Sequence, residues 1–167
     1  MRDELQSFKY SVNLPRARSA GDTKVYSKEI ADCCDYGGKQ WYDVREQMIN
    51  LSLRIKKSSS ELAIPDDANT HYIMGRTQMA DTNNKKKEDY YLPLYHLNQA
   101  NKLAPWWNKV YYELGRANEF AQLYEYAKEN FELYLLFQPP ADEEKNIRRE
   151  IIKIDAMLEK QRLQNNK

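Results

Sequence analysis

Histidine, cysteine and closely spaced carboxylates carry most protein-based chemistry, and in this chain they do not assemble into a working set. His71 and His96 are its two histidines. They read as belonging to different helical units with no ligand set of carboxylates or thiols around either, so no metal site is expected. Cys33 and Cys34 are adjacent. A bond between neighbours strains the backbone and staples no loop, and there is no Cys-x-x-Cys spacing, so the pair reads as two reduced thiols in a helical core. Acid pairs are plentiful, but on exposed helix faces they signal solvation. No glycine-rich phosphate loop, Gly-x-Ser-x-Gly or His-Glu-x-x-His occurs. The expectation is a chain without catalysis, metal or cofactor.

Composition narrows the remaining classes. With 41% hydrophobic and 31% charged residues, the 167-residue chain can bury one continuous core and is not disordered. Twenty-six basic residues against 25 acidic ones leave a net charge of +1, so no global field draws nucleic acid or anionic lipid. Lys85-Lys86-Lys87 is flanked by acids and reads as a soluble loop. No apolar run approaches the roughly 18 residues of a membrane span. The N-terminus is charged and lacks the apolar stretch of a secretory signal, which favours a cytoplasmic setting for the chain as given and leaves open a removed signal or an N-terminal extension. Thirteen tyrosines suit helix packing and recognition surfaces alike.

Five glycines and six prolines favour long helices over short strands. Residues 1–21 show no sustained period and form an irregular lead. Residues 22–167 form a single helical domain. A first helix starts near Asp22 or Thr23 and stops before Gly37-Gly38. A second, about 39–57, carries Trp41, Val44, Met48, Leu51 and Ile55 on one face. Asp66 or Asp67 caps a third, and residues 81–89 are too polar to bury and form an exposed turn. A fourth helix starts at or just before Pro93 and ends before Pro105. A fifth covers Trp107 to Ala121, a sixth Leu123 to Phe137. Asp142 caps a last helix with Ile147, Ile151, Ile154 and Leu158 in one stripe.

The spacing also repeats. A step of 34 residues carries Pro105 to Pro139, Leu97 to Phe131 and Ala100 to Tyr134. A step of 40 carries Tyr72 to Tyr112, Met74 to Leu114, Gly75 to Gly115 and Arg76 to Arg116. Two copies of a helix-turn-helix unit, the first with an enlarged turn, account for both numbers. Residues 108–141 resemble the tetratricopeptide repeat (TPR) family: Tyr111, Leu114-Gly115, Tyr124, Ala127, Phe131 and Pro139 stand at its signature positions. Asn118, Gln122 and Tyr134 depart from the pattern. Residues 68–105, with the enlarged turn 81–89, resemble a weaker copy, and 22–57 a degenerate hairpin. Ile64-Pro65-Asp66-Asp67-Ala68 and Ala104-Pro105-Trp106-Trp107 are similar to a bacterial subtype with one well-formed C-terminal repeat.

The resemblance implies an all-α fold of antiparallel helical hairpins stacked as a short right-handed superhelix, closed by a capping helix at 142–163. It also implies a concave groove, with Asn69, Tyr72, Arg76, Met79, Lys109, Tyr112, Arg116 and Glu119 facing a ligand. Two tyrosines and two arginines then form ladders suited to an acidic peptide or a C-terminal carboxylate. A solvated surface of internal Arg–Glu pairs, such as Arg116 with Glu119, is the plainer alternative. Tyr72 and Tyr112 stand where a chaperone-tail clamp has lysine, so that partner is not expected. Trp106 and Trp107 read as packing residues at a junction. The function implied is a protein–protein interaction scaffold; the alternatives are a self-associating structural module and, more distantly, an accessory domain of an enzyme.

Overall fold

Pro65 and Pro140 each offer a carbonyl to the first intrahelical bond of the helix that follows, accepting from Asn69 N–H at 3.0 Å and from Glu144 N–H at 2.9 Å. Sequence spacing makes Asp66, Asp67 and Asp142 the caps. In the structure the prolines hold the cap positions and the acids fall in the first turns, where the helix dipole favours them. The computed structural model describes residues 63–80 and 86–165, and before them Gln47, Ile49, Asn50, Leu53 and Arg54, all helical. Five helices make up most of it: α1 (Asp66–Ala80), α2 (Tyr91–Leu103), α3 (Asn108–Phe120), α4 (Tyr124–Leu136) and α5 (Ala141–Asn165). They pack in adjacent antiparallel pairs. No strand occurs among the described residues.

The turns follow from local chemistry. Lys86 N–H donates to Asp89 Oδ2 at 2.8 Å and opens a 3-10 turn, Lys87–Tyr90, that runs straight into α2. Pro93 lies in the first turn of α2, where its missing N–H costs nothing. Between α2 and α3 the buried Tyr111 hydroxyl donates to Pro105 O at 2.7 Å. Gln122 and Gln138 end α3 and α4 in the left-handed region, with φ of 61° and 52°. Gln122 N–H bonds Glu119 O and Leu123 N–H bonds Asn118 O, so the last carbonyls of α3 are satisfied.

Two glycines let the helices of each pair approach. A β-carbon on Gly75 would lie 2.8 Å from Leu97 Cγ, and one on Gly115 would lie 2.5 Å from Phe131 Cδ1. Hence α1 closes on α2, and α3 on α4. Val110, Leu114 and Ala117 of α3, with Ala121 just past its end, bury themselves against Tyr72, Met79, Leu94 and Leu97 in a first core. Tyr111, on another side of α3, belongs to a second core with Phe131, Phe137, Ile147, Ile154 and Leu158. α3 is therefore shared between both.

α5 packs on α4, and Lys128 Nζ pairs with Asp155 Oδ1 at 2.7 Å across that contact. Its expected apolar stripe is buried at Ile147, Ile154 and Leu158 and half-buried at Ile151. Ile49 joins the second core and Leu53 packs on it. The lead 1–21, the helix expected before Gly37 with Cys33 and Cys34, and most of 39–57 lie outside the described residues.

Candidate functional site

With two sides of α3 committed to cores, one face remains, carrying Lys109, Tyr112, Arg116 and Glu119 at helical spacing. The first turns of α5 stand opposite, because α5 leans on α4 and leaves a gap to α3. The gap is a cleft of about 790 Å³. Phe131 and Tyr134 of α4 line its floor, Glu143, Asn146 and Glu150 its α5 wall, and Tyr72 of α1 one end.

Five of the eight groove residues expected from the sequence thus come together: Tyr72, Lys109, Tyr112, Arg116 and Glu119. The other three go elsewhere. Asn69 is exposed in the first turn of α1, outside the cleft lining. Met79 is buried in the first core. Arg76 lies just beyond the cleft and points its Nε at Glu113 Oε1, 3.1 Å away.

Glu113 organises the arginines. It is 4% exposed, and Arg116 Nη1 reaches its other oxygen at 3.4 Å. Burial pushes its carboxyl up, while the Arg116 and Arg76 guanidiniums pull it back. Each arginine also lies over the tyrosine one turn earlier, Arg76 at 5.7 Å from the Tyr72 ring centre and Arg116 at 5.9 Å from that of Tyr112. Both arginines turn their charge to a carboxylate of the protein. Arg116 pairs with Glu113 rather than with Glu119, the partner its spacing suggested.

The α5 wall is held in a similar way. Tyr134 O–H donates to Glu143 Oε2, and burial with that bond raises the phenol well above its ordinary range. Lys153 Nζ donates to both oxygens of Glu150, at 2.7 and 2.9 Å. Glu119 faces this pair from α3, and its carboxyl is pushed up by burial and by Glu150, against the pull of Lys153 and Arg116. Tyr72, at the far end, has the Trp107 ring 4.4 Å away, so that tryptophan packs at the junction as expected.

Glu143, Asn146 and Glu150 were legible. The 34-residue step takes Lys109, Tyr112, Arg116 and Glu119 onto Glu143, Asn146, Glu150 and Lys153, but the step has to be carried past Pro139 into the last helix. Nothing in the spacing marks Glu113, whose partners lie on two different helices.

The histidines differ from expectation. His71 of α1 and His96 of α2 lie on one hairpin, with their Nδ1 atoms 3.1 Å apart. One ring must carry its proton on Nδ1 while the other offers a lone pair. Among the described residues no group of three or more His, Cys, Asp or Glu is placed to hold a metal ion, and no helix is long and apolar enough to cross a membrane. No protein-family model, curated protein or solved structure matches this chain.

Proposed function

We propose that the chain is a TPR-like holding module, in which α1–α2 and α3–α4 are successive hairpins of a short right-handed stack and α5 is the capping helix. Its ligand is an extended segment of another protein, seated between α3 and α5. The observation that carries this reading is the cleft itself: a gap of about 790 Å³ walled by tyrosines and by charged groups on two helices. Rigid aromatic rings offer contact area at little entropic cost, and their orientation is fixed here by ring contacts such as Tyr112 with Tyr134 at 5.6 Å. No serine, threonine, cysteine or histidine is among the lining residues, which favours holding over catalysis. The TPR assignment rests on residue spacing and on the two glycine crossings.

Reversing Arg76 and Arg116 is a poor test, since it strands a buried Glu113 carboxylate. Asn146 is exposed on the α5 wall, so Asn146→Trp fills the cleft without touching either core. The wild type is expected to enrich a set of peptides from a random display library, and the Asn146→Trp chain, with unchanged circular dichroism and melting temperature, to lose them. Equal enrichment by both chains would move binding away from the cleft. No enrichment by the wild type would sink the holding reading.

Self-association is the second reading, and one observation favours it. Ile152 and Leu163, 68% and 59% exposed, stand on the same side of α5, about 20° apart by helical geometry. Sedimentation equilibrium separates the two, since a monomer at every concentration removes this one.

A further inference from the structure

The α3 side of the cleft has ends of opposite charge, while Glu143 on the α5 wall is engaged by the Tyr134 hydroxyl. Lys109 stands in the first turn of α3 and Glu119 in the last. Among the described residues neither belongs to an ion pair. They are ten residues apart, about 15 Å along a helix. The dipole of α3 runs the same way, positive at the Lys109 end and negative at the Glu119 end. Arg116, between them, is held by the buried Glu113 and also pulls on the Glu119 carboxyl. That middle is aromatic, with Tyr112 from α3 and Tyr134 from α4.

The negative end is the more demanding one. Glu119 is half-buried and lines the cleft together with Glu150 of the opposite wall, so two carboxylates share a partly dry space. Lys153 is engaged by Glu150 through both oxygens and leaves Glu119 without a hydrogen-bonded cation of its own. A guanidinium or ammonium entering there would bridge the two acids, with charge-assisted bonds in place of repulsion.

Resting on the holding reading above, we propose that the cleft selects a charge-polarised peptide: a carboxylate at Lys109, an apolar or aromatic stretch over Tyr112 and Tyr134, and a lysine or arginine between Glu119 and Glu150. An extended chain rises about 3.3 Å per residue, so the two charges stand about four or five residues apart. This places the recognised anion at the lysine of the cleft and not at its arginines, and it adds a cation that a purely acidic ligand lacks.

The test is a random peptide display selection run on the wild type, Lys109→Glu, Glu119→Gln and the double swap Lys109→Glu/Glu119→Lys, with Asn146→Trp as the blocked control and circular dichroism on each. Wild-type selections are expected to pair an acid with a lysine or arginine four or five residues away, in one consistent order. The double swap is expected to reverse that order. Glu119→Gln, which keeps the side-chain shape, is expected to weaken the best wild-type peptide at least about tenfold in a fluorescence anisotropy titration. Enriched peptides without the charge pair, or with one that ignores the double swap, would overturn the polarity while leaving the holding reading in place. Equal enrichment by the wild type and the blocked control would move binding out of the cleft and end the polarity with it, and no enrichment by the wild type would remove the holding reading itself.

Discussion

Glu113 and its two arginines are unequal partners, because the carboxylate is buried and the guanidiniums are 57% and 40% exposed in their side chains. Deleting the carboxylate frees two cations that can turn to water. Deleting both cations leaves a buried charge unpaired, which costs about 3 kcal/mol or more. Urea denaturation is therefore expected to find Glu113→Gln within about 1 kcal/mol of wild type and Arg76→Ala/Arg116→Ala far less stable. The opposite ranking would show that Glu113 is the group the fold depends on. The histidine pair carries a second prediction at this scale. Burial holds both imidazoles below the ordinary value of 6.5, with Asp67, one turn before His71, partly offsetting the effect there and His71 adding to it at His96. The unfolded chain then takes up protons before the folded one as the pH falls. The contribution of the pair is full above about pH 6.5 and is lost below it. Melting temperature is expected to drop more steeply from about pH 7.5 to about pH 5.5 in the wild type than in His71→Gln/His96→Gln. Parallel curves would remove the pair as a source of acid sensitivity.

At the scale of elements, the glycine crossings decide how closely helices pair. A β-carbon on Gly115 would meet a fully buried, rigid phenyl ring at 2.5 Å, whereas one on Gly75 would meet Leu97 Cγ at 2.8 Å and the Pro93 carbonyl oxygen at 3.2 Å. Gly115→Ala is thus expected to destabilise by about 1–3 kcal/mol through overpacking, and Gly75→Ala by less, partly offset by the better helix propensity of alanine. Chemical denaturation of the two variants checks the order. The boundaries of these elements were readable in advance: Pro93, Pro105 and Pro139 each stop or start a helix within about two residues of where the spacing puts it. The caps were not. A proline carbonyl can accept the first helical bond as well as an aspartate residue can, and side-chain preference does not distinguish them when the acids follow the proline directly.

For the whole molecule, the sharing of α3 between two cores sets the order of opening. Amides of α3 are expected to exchange slowest with deuterium, and those of the last turns of α5, beyond Leu158, fastest. Equal protection across both helices would mean that the cores open as one. What the resemblance caught of the candidate site was one face of α3, whose four residues share helical spacing and line the cleft. What it missed depends on tertiary register. Asn69, Met79, Tyr72 and Arg76 share equivalent positions with Lys109, Glu119, Tyr112 and Arg116, yet only Tyr72 reaches the cleft, since α1 sits at its end while α3 forms a side. Likewise the contact of His71 with His96 depends on how α1 and α2 slide against each other, which no residue count fixes.

The ring contact of Tyr72 with Trp107 has an optical consequence. Indole emission follows the polarity and mobility of its surroundings, and this indole lies 4.4 Å from a ring that lines the cleft. Among the described residues the buried indole N–H of Trp106 has no hydrogen-bond partner, so Trp106→Phe gives up no bond to them, and Trp41→Phe removes the remaining indole. In that double variant Trp107 is the sole indole, and with excitation selective for indole the seating of a peptide against Tyr72 is expected to shift its emission maximum. The chain then serves as its own unlabelled gauge of cleft occupancy.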